Sequence, residues 1–340
     1  MQETNKGARA DVRMQDVAAR AGVSVMTVSR ALSDPSKVSQ KTLLRVQAAV
    51  NDIHYVPNEL AGSLSSRRST AVGLIVPSIN NSLYSSTIQA VSATLRARGF
   101  HLMIAQSGLD LENEEQAITA FLAQRVCGLI LHNTQHTPRA RELISKIGVP
   151  TVEIGSAVEG PLDHCVSYSN VAAAKAMTVH LGRLGYRRIG FVSLDLKSND
   201  RARQRLEGYF AGIRELGLPE DASLTVETES GFKGGADALG RLTKAHPSID
   251  AIFFTADVMA VGALFECHRR GWKVPSRIAI SSFDDVDLLR HVIPTITTLR
   301  IPREEIGHKS AEILMARLEG RSTMPKIVDM GFDIIQREST

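Results

Sequence analysis

Between residues 14 and 53, apolar positions recur at helical spacing three times. Met14, Val17, Ala18 and Ala21 form one stripe, Val28 and Leu32 a second, and Leu43, Val46, Val50 and Ile53 a third, the three-and-four interval of a single helix face. The pattern predicts three short helices sharing one small core. Ser24 and Ser39 stand where N-caps are wanted. Gly22 lies in the turn between the first two helices, where a residue that accepts positive φ is useful.

After "HYVPNELAGSLSSRRST" the pattern changes. Short apolar runs at "VGLIVP", "HLMIAQ", "GLILH", "PTVEI", "RIGFVSL", "SLTVET", "AIFFTA" and "IAISSF" alternate with amphipathic stretches such as 84–98, 170–184 and 303–319. Buried strands separated by helices predict parallel sheets covered on both faces. About eight strands fit two doubly wound sheets better than one. The expected fold is therefore an all-α helix-turn-helix headpiece followed by a two-lobed α/β core.

Charge placement adds a partner. Residues 1–70 hold ten Lys/Arg against six Asp/Glu, while the remainder carries 30 of each sign. A basic headpiece on a neutral body suits a nucleic-acid contact. In a helix-turn-helix the second helix enters the major groove, which leaves Val25, Met26, Ser29 and Arg30 as candidate base readers. Arg can bond guanine O6 and N7 together, and Val and Met can cover thymine methyls. Thr27, Ser29, Ser33, Ser39 and Thr42 offer hydroxyls of the kind that bond phosphates and fix register.

The other chemistry is sparse. Cys127, Cys165 and Cys267 are odd in number, far apart and in apolar runs, which suits buried thiols in a reducing compartment, not a disulfide frame or metal site. No apolar signal core or run of membrane-spanning length occurs, so a cytoplasmic protein without membrane contact is expected. Walker, G-x-G-x-x-G, G-x-S-x-G and H-E-x-x-H patterns are absent, so neither an enzyme nor a cofactor is expected.

The run "MQDVAARAGVSVMTVSRALSDPSKVSQKTLLRVQAAVNDIHYVPNELAGSL" closely resembles the headpiece of the LacI/GalR family of bacterial transcriptional regulators, through "DVAxxAGVSxxTVSR" and "Y-x-P-N-x-x-A-x-x-L". The strand and helix alternation of the rest resembles that family's periplasmic-binding-protein-like core. The resemblance implies a homodimer on a pseudo-palindromic operator, with a small effector between two lobes. No heptad tail follows Thr340, so a dimer is expected in preference to a tetramer. The expected layout is a disordered tail at 1–12, the helix-turn-helix domain at 13–57, a hinge helix and linker at 58–70 and the core at 71–340. Within the core, the near lobe takes about 71–168 and 299–328 and the far lobe about 169–298 and 329–340.

Asn58, Ala61 and Leu64 recur every three residues in "PNELAGSL", so they share a face if the segment becomes helical. It is far shorter than the roughly 12 to 15 residues a marginal isolated helix needs, so it is expected to fold only on DNA. The resemblance implies that paired hinges enter the minor groove with Leu64 as a wedge. Matched segment by segment, it also implies an effector site of Asn81, Leu83, Tyr84, His132, Tyr168, Arg205, Ala256 and Asp284. Asp284 is the expected acceptor of sugar hydroxyls and Arg205 the expected forked cation for a carboxylate, with Arg201 or Arg203 as possible neighbours. His132 and Glu153 are strand-end residues that could bond backbone alone. Many family members have Asn-Asp where this chain has Ala256-Asp257, which removes one hydrogen bond to an effector.

Segments such as "HTPRARELI", "LDHCVSYSN" and "PKIVDMGF" resemble the gluconate-repressor subgroup, which includes 2-ketogluconate regulators. A sugar acid is the expected effector, acting as inducer or as corepressor. A neutral sugar or nucleobase corepressor is the alternative, and a sugar-acid solute-binding protein is the rival of another class.

Overall fold

The computed structural model describes residues 12–56, 69–157, 159–321 and 325–340. They belong to two compact units that divide between Ser69 and Thr70. The hinge positions Asn58, Ala61 and Leu64, and all but the last residue of the expected N-terminal tail, lie outside the described residues.

The first unit is helical: α1 (Met14–Ala21), α2 (Val25–Ser33) and α3 (Gln40–Asp52). Val17, Val28 and Val46 are fully buried and form its centre with Ala18, Ala21, Ala31, Ala49 and Tyr55. Met14, Leu32, Leu43, Val50 and Ile53 pack around them, half-buried. Small Ala31 and Ala49 let the helices approach, and Tyr55 closes the base. Ser24 Oγ accepts from the Thr27 N–H at 3.1 Å, and Ser39 Oγ from the Thr42 N–H at 3.3 Å; each such cap contributes about 1 kcal/mol. Gly22 has φ 62° and donates back to the last carbonyls of α1.

The second unit holds two six-stranded sheets. The near sheet has the order β11-β5-β4-β3-β1-β2 and the far sheet β12-β10-β9-β8-β6-β7. Near strands are β1 (Ala71–Val76), β2 (His101–Gln106), β3 (Gly128–Leu131), β4 (Thr151–Glu153), β5 (His164–Ser167) and β11 (Ile327–Asp329). Far strands are β6 (Ile189–Ser193), β7 (Thr225–Glu227), β8 (Ala251–Phe254), β9 (Ala279–Phe283), β10 (Thr297–Arg300) and β12 (Asp333–Ile335). All pairings are parallel except β10 with β12.

Helices α4 (Ser85–Arg96), α5 (Leu111–Ala123), α6 (Pro138–Ile147) and α11 (Arg303–Leu318) cover the near sheet. Helices α7 (Asn170–Arg183), α8 (Asp200–Glu215), α9 (Phe232–Ala245) and α10 (Asp257–Arg269) cover the far one. The chain passes between sheets three times: after β5, after β10 and after β11. One apolar cluster runs from Val72, Leu74 and Ile130 through Tyr168 to Phe191, Phe253 and Phe283, so the lobes share a continuous core beside the crossovers. Strand C-termini and the turns that follow them gather along the cleft, where open α/β sheets place ligands.

The eight apolar runs correspond to eight of the twelve strands. β5 and β10, "HCVS" and "TTLR", are polar in letter yet buried. Thr297 and Thr298 lie inside because Thr297 Oγ1 donates to the Arg337 carbonyl and Thr298 Oγ1 to the Asp284 carbonyl.

Candidate functional site

In the helical unit, α2 turns Val25 and Met26 outward at 41% and 65% exposure, and Arg30 is also exposed. The Arg30 guanidinium meets no acceptor among the described residues, which leaves its fork open. Ser29 is half-buried. Thr27 and Thr42 are partly engaged already, since their hydroxyls lie 2.9 Å from Ser24 Oγ and Ser39 Oγ in the caps. Arg45 was missed by the sequence reading. From α3, its Nη2 donates to the carbonyls of Ala21 at 2.5 Å and Gly22 at 3.2 Å, tying the turn that aims α2.

In the two-lobed unit, Tyr84, His132, Tyr168, Arg205 and Asp284 converge. Tyr84 precedes α4 and meets the His132 ring edge to face, with centroids 4.8 Å apart. His132 follows β3, and the carbonyl of His132 lies where a Cβ on residue 155 would intrude at 1.8 Å; Gly155 is therefore required for β4 to end beside it. Both ring nitrogens of His132 are buried without a partner among the described residues. Burial, then the charges of Arg201, Arg303 and Arg205, hold its pKa well below the ordinary value. It is a neutral imidazole with free donor and acceptor capacity.

Arg205 projects from α8. Its Nε donates to Asn170 Oδ1 at 2.8 Å, its Nη1 to the Thr255 carbonyl at 2.8 Å and its Nη2 to the Tyr168 hydroxyl at 3.3 Å. The guanidinium lies 3.6 Å from the Phe283 ring centroid, a cation–π stack. Asp284 follows β9 at φ 72°, a left-handed conformation that Asp tolerates better than most residues. Its Oδ1 accepts from Arg303 Nε at 2.8 Å and forms an ion pair with Nη2 at 2.6 Å. Arg303 stands just past the second crossover, so this buried pair joins the two lobes. Burial opposes the charge of Arg303, yet Asp284 overrides it and raises its pKa. Burial and then Asp284 push the Asp257 carboxyl up to about 6.

Asn81 and Leu83 sit at the rim. Asn81 Oδ1 caps the short turn before α4 by accepting from the Leu83 N–H at 3.0 Å, and Leu83 packs on the apolar cluster. Ala256 is the N-cap of α10 and offers no side-chain cap. Glu153 accepts from the Leu162 N–H at 2.6 Å and from His136, a structural role in the near lobe. The sequence reading missed Arg303, Asn133, Asn170 and Phe283.

The lobes also touch at the cleft mouth. Thr134 Oγ1 donates to Asp200 Oδ2 at 3.0 Å, Arg201 Nη1 to Asn133 Oδ1 at 3.2 Å and Ser156 Oγ to Gln204 Oε1 at 2.5 Å. Beside them lies a cavity of about 550 Å³ lined by Asn133, Gln135, Ser198, Asp200, Arg201 and Arg203 among others. A larger hollow of about 800 Å³ is a surface groove between α9 and α10, and none of the cleft residues lines it.

A helix-turn-helix unit whose second helix exposes Val25, Met26 and Arg30, followed in the chain by a two-lobed core with a polar cleft, has the architecture of a DNA-binding protein that responds to a small molecule. Residues 13–58 match the bacterial regulatory proteins of the lacI family, and residues 178–340 match the periplasmic binding protein-like domain. The HTH-type transcriptional regulator GntR of Escherichia coli (strain K12) is 34% identical over 321 residues, covering 94% of this chain and 96% of that protein. GntR of Pseudomonas aeruginosa is 34% identical over 329 residues, covering 96% and 95%. The crystal structure of a LacI-family transcriptional regulator from Silicibacter pomeroyi superposes with a TM-score of 0.89 at 30% identity, covering 96% of this chain and 99% of that one. The lac repressor dimer bound to operator and the anti-inducer ONPF shares the fold, with a TM-score of 0.84 at 24% identity over 96% and 98%. The chain belongs to the LacI family of bacterial regulatory proteins, and its class is that of a DNA-binding transcriptional regulator. Among the described residues no helix is long and apolar enough to cross a membrane.

Proposed function

We propose that the chain is a homodimeric repressor whose operator affinity is set by a sugar acid, gluconate or 2-ketogluconate, held between the lobes. The observation that carries the reading is the convergence of Arg201, Arg205 and Arg303 on a cleft where His132 is held neutral. A sugar acid brings one carboxylate for a guanidinium and a row of hydroxyls for Asp284, His132 and Asn170. The likeness of several segments to the gluconate-repressor subgroup, and 34% identity with regulators named GntR, support the same class of effector. On DNA, Arg30 with Val25 and Met26 reads bases, Thr27, Ser29, Ser39 and Thr42 reach phosphates, and Asn58, Ala61 and Leu64 form the hinge face.

The test is calorimetric titration of the purified protein with gluconate, 2-ketogluconate and glucose, with and without an operator duplex selected from a random pool. A sugar acid is expected to bind and to change operator affinity by a coupling of about 1 to 3 kcal/mol, the same in both directions. Weakened DNA binding identifies an inducer and strengthened binding a corepressor. Binding of glucose alone, or a sugar acid that leaves operator affinity unchanged, would overturn the reading.

A further inference from the structure

The three guanidiniums of the cleft are not equally available. Arg303 is neutralised by Asp284, whose Oδ1 accepts from Nε at 2.8 Å and lies 2.6 Å from Nη2. Arg205 has a partner on every nitrogen: Asn170 on Nε, the Thr255 carbonyl on Nη1 and Tyr168 on Nη2. One of its faces is also covered by Phe283. A carboxylate approaching either side edge of Arg205 would have to displace a bond already made.

Arg201 differs in both respects. It stands in the first turn of α8 and is only 6% exposed. Its contacts fall on one nitrogen: Nη1 reaches Asn133 Oδ1 at 3.2 Å and the His132 carbonyl at 3.5 Å. Its nearest carboxylate, Asp200, is 3.9 Å away and already accepts from the Thr134 hydroxyl. The Nε and Nη2 pair, the side edge that forms a two-bond fork with a carboxylate, has no acceptor among the described residues. Arg201 lines the interlobe cavity of about 550 Å³ together with Asn133 and Ser198, and with Lys197 and Arg203 and the acids Asp110, Glu112 and Asp200. Its Nη1 lies 3.5 Å from the His132 carbonyl, which sets its charge next to that residue.

Resting on the sugar-acid reading, we propose that Arg201, not Arg205, receives the effector carboxylate through its Nε and Nη2 edge, so that the acid end lies at the cleft mouth. The hydroxyl chain is then directed towards His132 and Asp284, which lie inward of the lining of that cavity. Arg205 organises the hydroxyl end through Asn170 and Tyr168. Arg201 thereby sets the preference for an acid over a neutral polyol. It does so across the lobe contact that Asn133 makes with it.

The experiment measures affinity for gluconate and for its neutral counterpart glucitol in wild type, Arg201→Gln, Arg201→Lys and Arg205→Gln. Wild type is expected to prefer gluconate. Arg201→Gln should weaken gluconate by roughly 30-fold or more and glucitol by far less, erasing the preference; Arg201→Lys, a cation without a fork, should retain part of it. Arg205→Gln should weaken both ligands to similar extents. An unchanged acid-to-neutral ratio in Arg201→Gln, or its loss in Arg205→Gln alone, would overturn the assignment while leaving the sugar-acid reading intact. Failure of wild type to bind either sugar acid would overturn both.

Discussion

His132 and His136 stand four residues apart on the loop that follows β3, and they meet opposite electrostatics. His132 faces the cleft among three arginines and neither ring nitrogen has a partner among the described residues. His136 turns into the near lobe, where Nδ1 lies 2.7 Å from Glu114 Oε2 and Nε2 lies 3.2 Å from Glu153 Oε1. Burial works against a charge on His136, but these two hydrogen-bonded carboxylates override it and push its pKa up to about 9. One histidine is a buried cation that ties α5, the loop and β4 together. The other is a neutral ring kept available. The difference teaches how one short loop can leave a ring unpartnered where it departs from β3 and bind another firmly just before the helix, the combination that the proposed effector site would use.

The strongest way to break this contrast is His136→Ala. Removing the cation leaves Glu114 and Glu153 as buried carboxylates facing each other, and loss of one partner of a buried ion pair typically costs about 3 to 5 kcal/mol. Urea unfolding should show a loss of that size in the core. A loss below about 1 kcal/mol would mean that His136 carries no charge there.

Neither role was legible from spacing. Thr137, the next residue, caps α6 by accepting from the Ala140 N–H at 3.0 Å, a local contact that says nothing of His136. Nothing in the sequence ties His136 to Glu114, 22 residues upstream, or to Glu153 beyond an entire helix. The same holds for Arg303. "RIPREE" has the look of an exposed helix start, and only the second crossover brings its guanidinium to Asp284, 19 residues earlier. The headpiece was legible because its core is local: Val17, Val28 and Val46 lie within thirty residues on stripes of helical period, and both caps contact residues three positions on. The alternation of strands and helices was legible wherever strands were apolar. It failed at β5 and β10, where Ser and Thr are buried because distant backbone satisfies their hydroxyls, and at β11 and β12, edge strands of three residues each, too short to show a period. In the cleft, position could be read for Tyr84, His132, Tyr168, Arg205 and Asp284 from the family resemblance, but pairing could not. Whether a guanidinium is already bonded depends on groups from four or five segments.

The second test uses pH. The folded value of His136 lies above the unfolded 6.5, so the stability it supplies is complete below pH 6.5 and is lost as pH rises through about 9. The gap, at ~1.4 kcal/mol per pH unit, makes this about 3 kcal/mol. For His132 the folded value is depressed below 6.5, so its contribution is complete above pH 6.5 and is lost as pH falls. Stability owed to the pair therefore peaks near pH 6.5. Urea midpoints at pH 6.5, 8 and 9.5 should fall in wild type and hold nearly level in His136→Gln. Parallel profiles would place the proton on another group.

The smallest expected effect has the opposite sign. His132→Leu replaces a ring with two unpartnered buried nitrogens by an apolar side chain of similar volume, packed on Tyr84. An unsatisfied buried polar group costs on the order of 1 to 3 kcal/mol, and an apolar replacement of like shape is neutral or stabilising. Some of that gain is offset by imperfect fit against Gly155, so the variant should equal wild type or exceed it by up to about 1 kcal/mol in urea, while effector affinity falls. A variant that is both less stable and unchanged in effector binding would make His132 a packing residue with a hidden partner. The loop would then be satisfied at both ends, and the proposal that His132 meets an effector would fall.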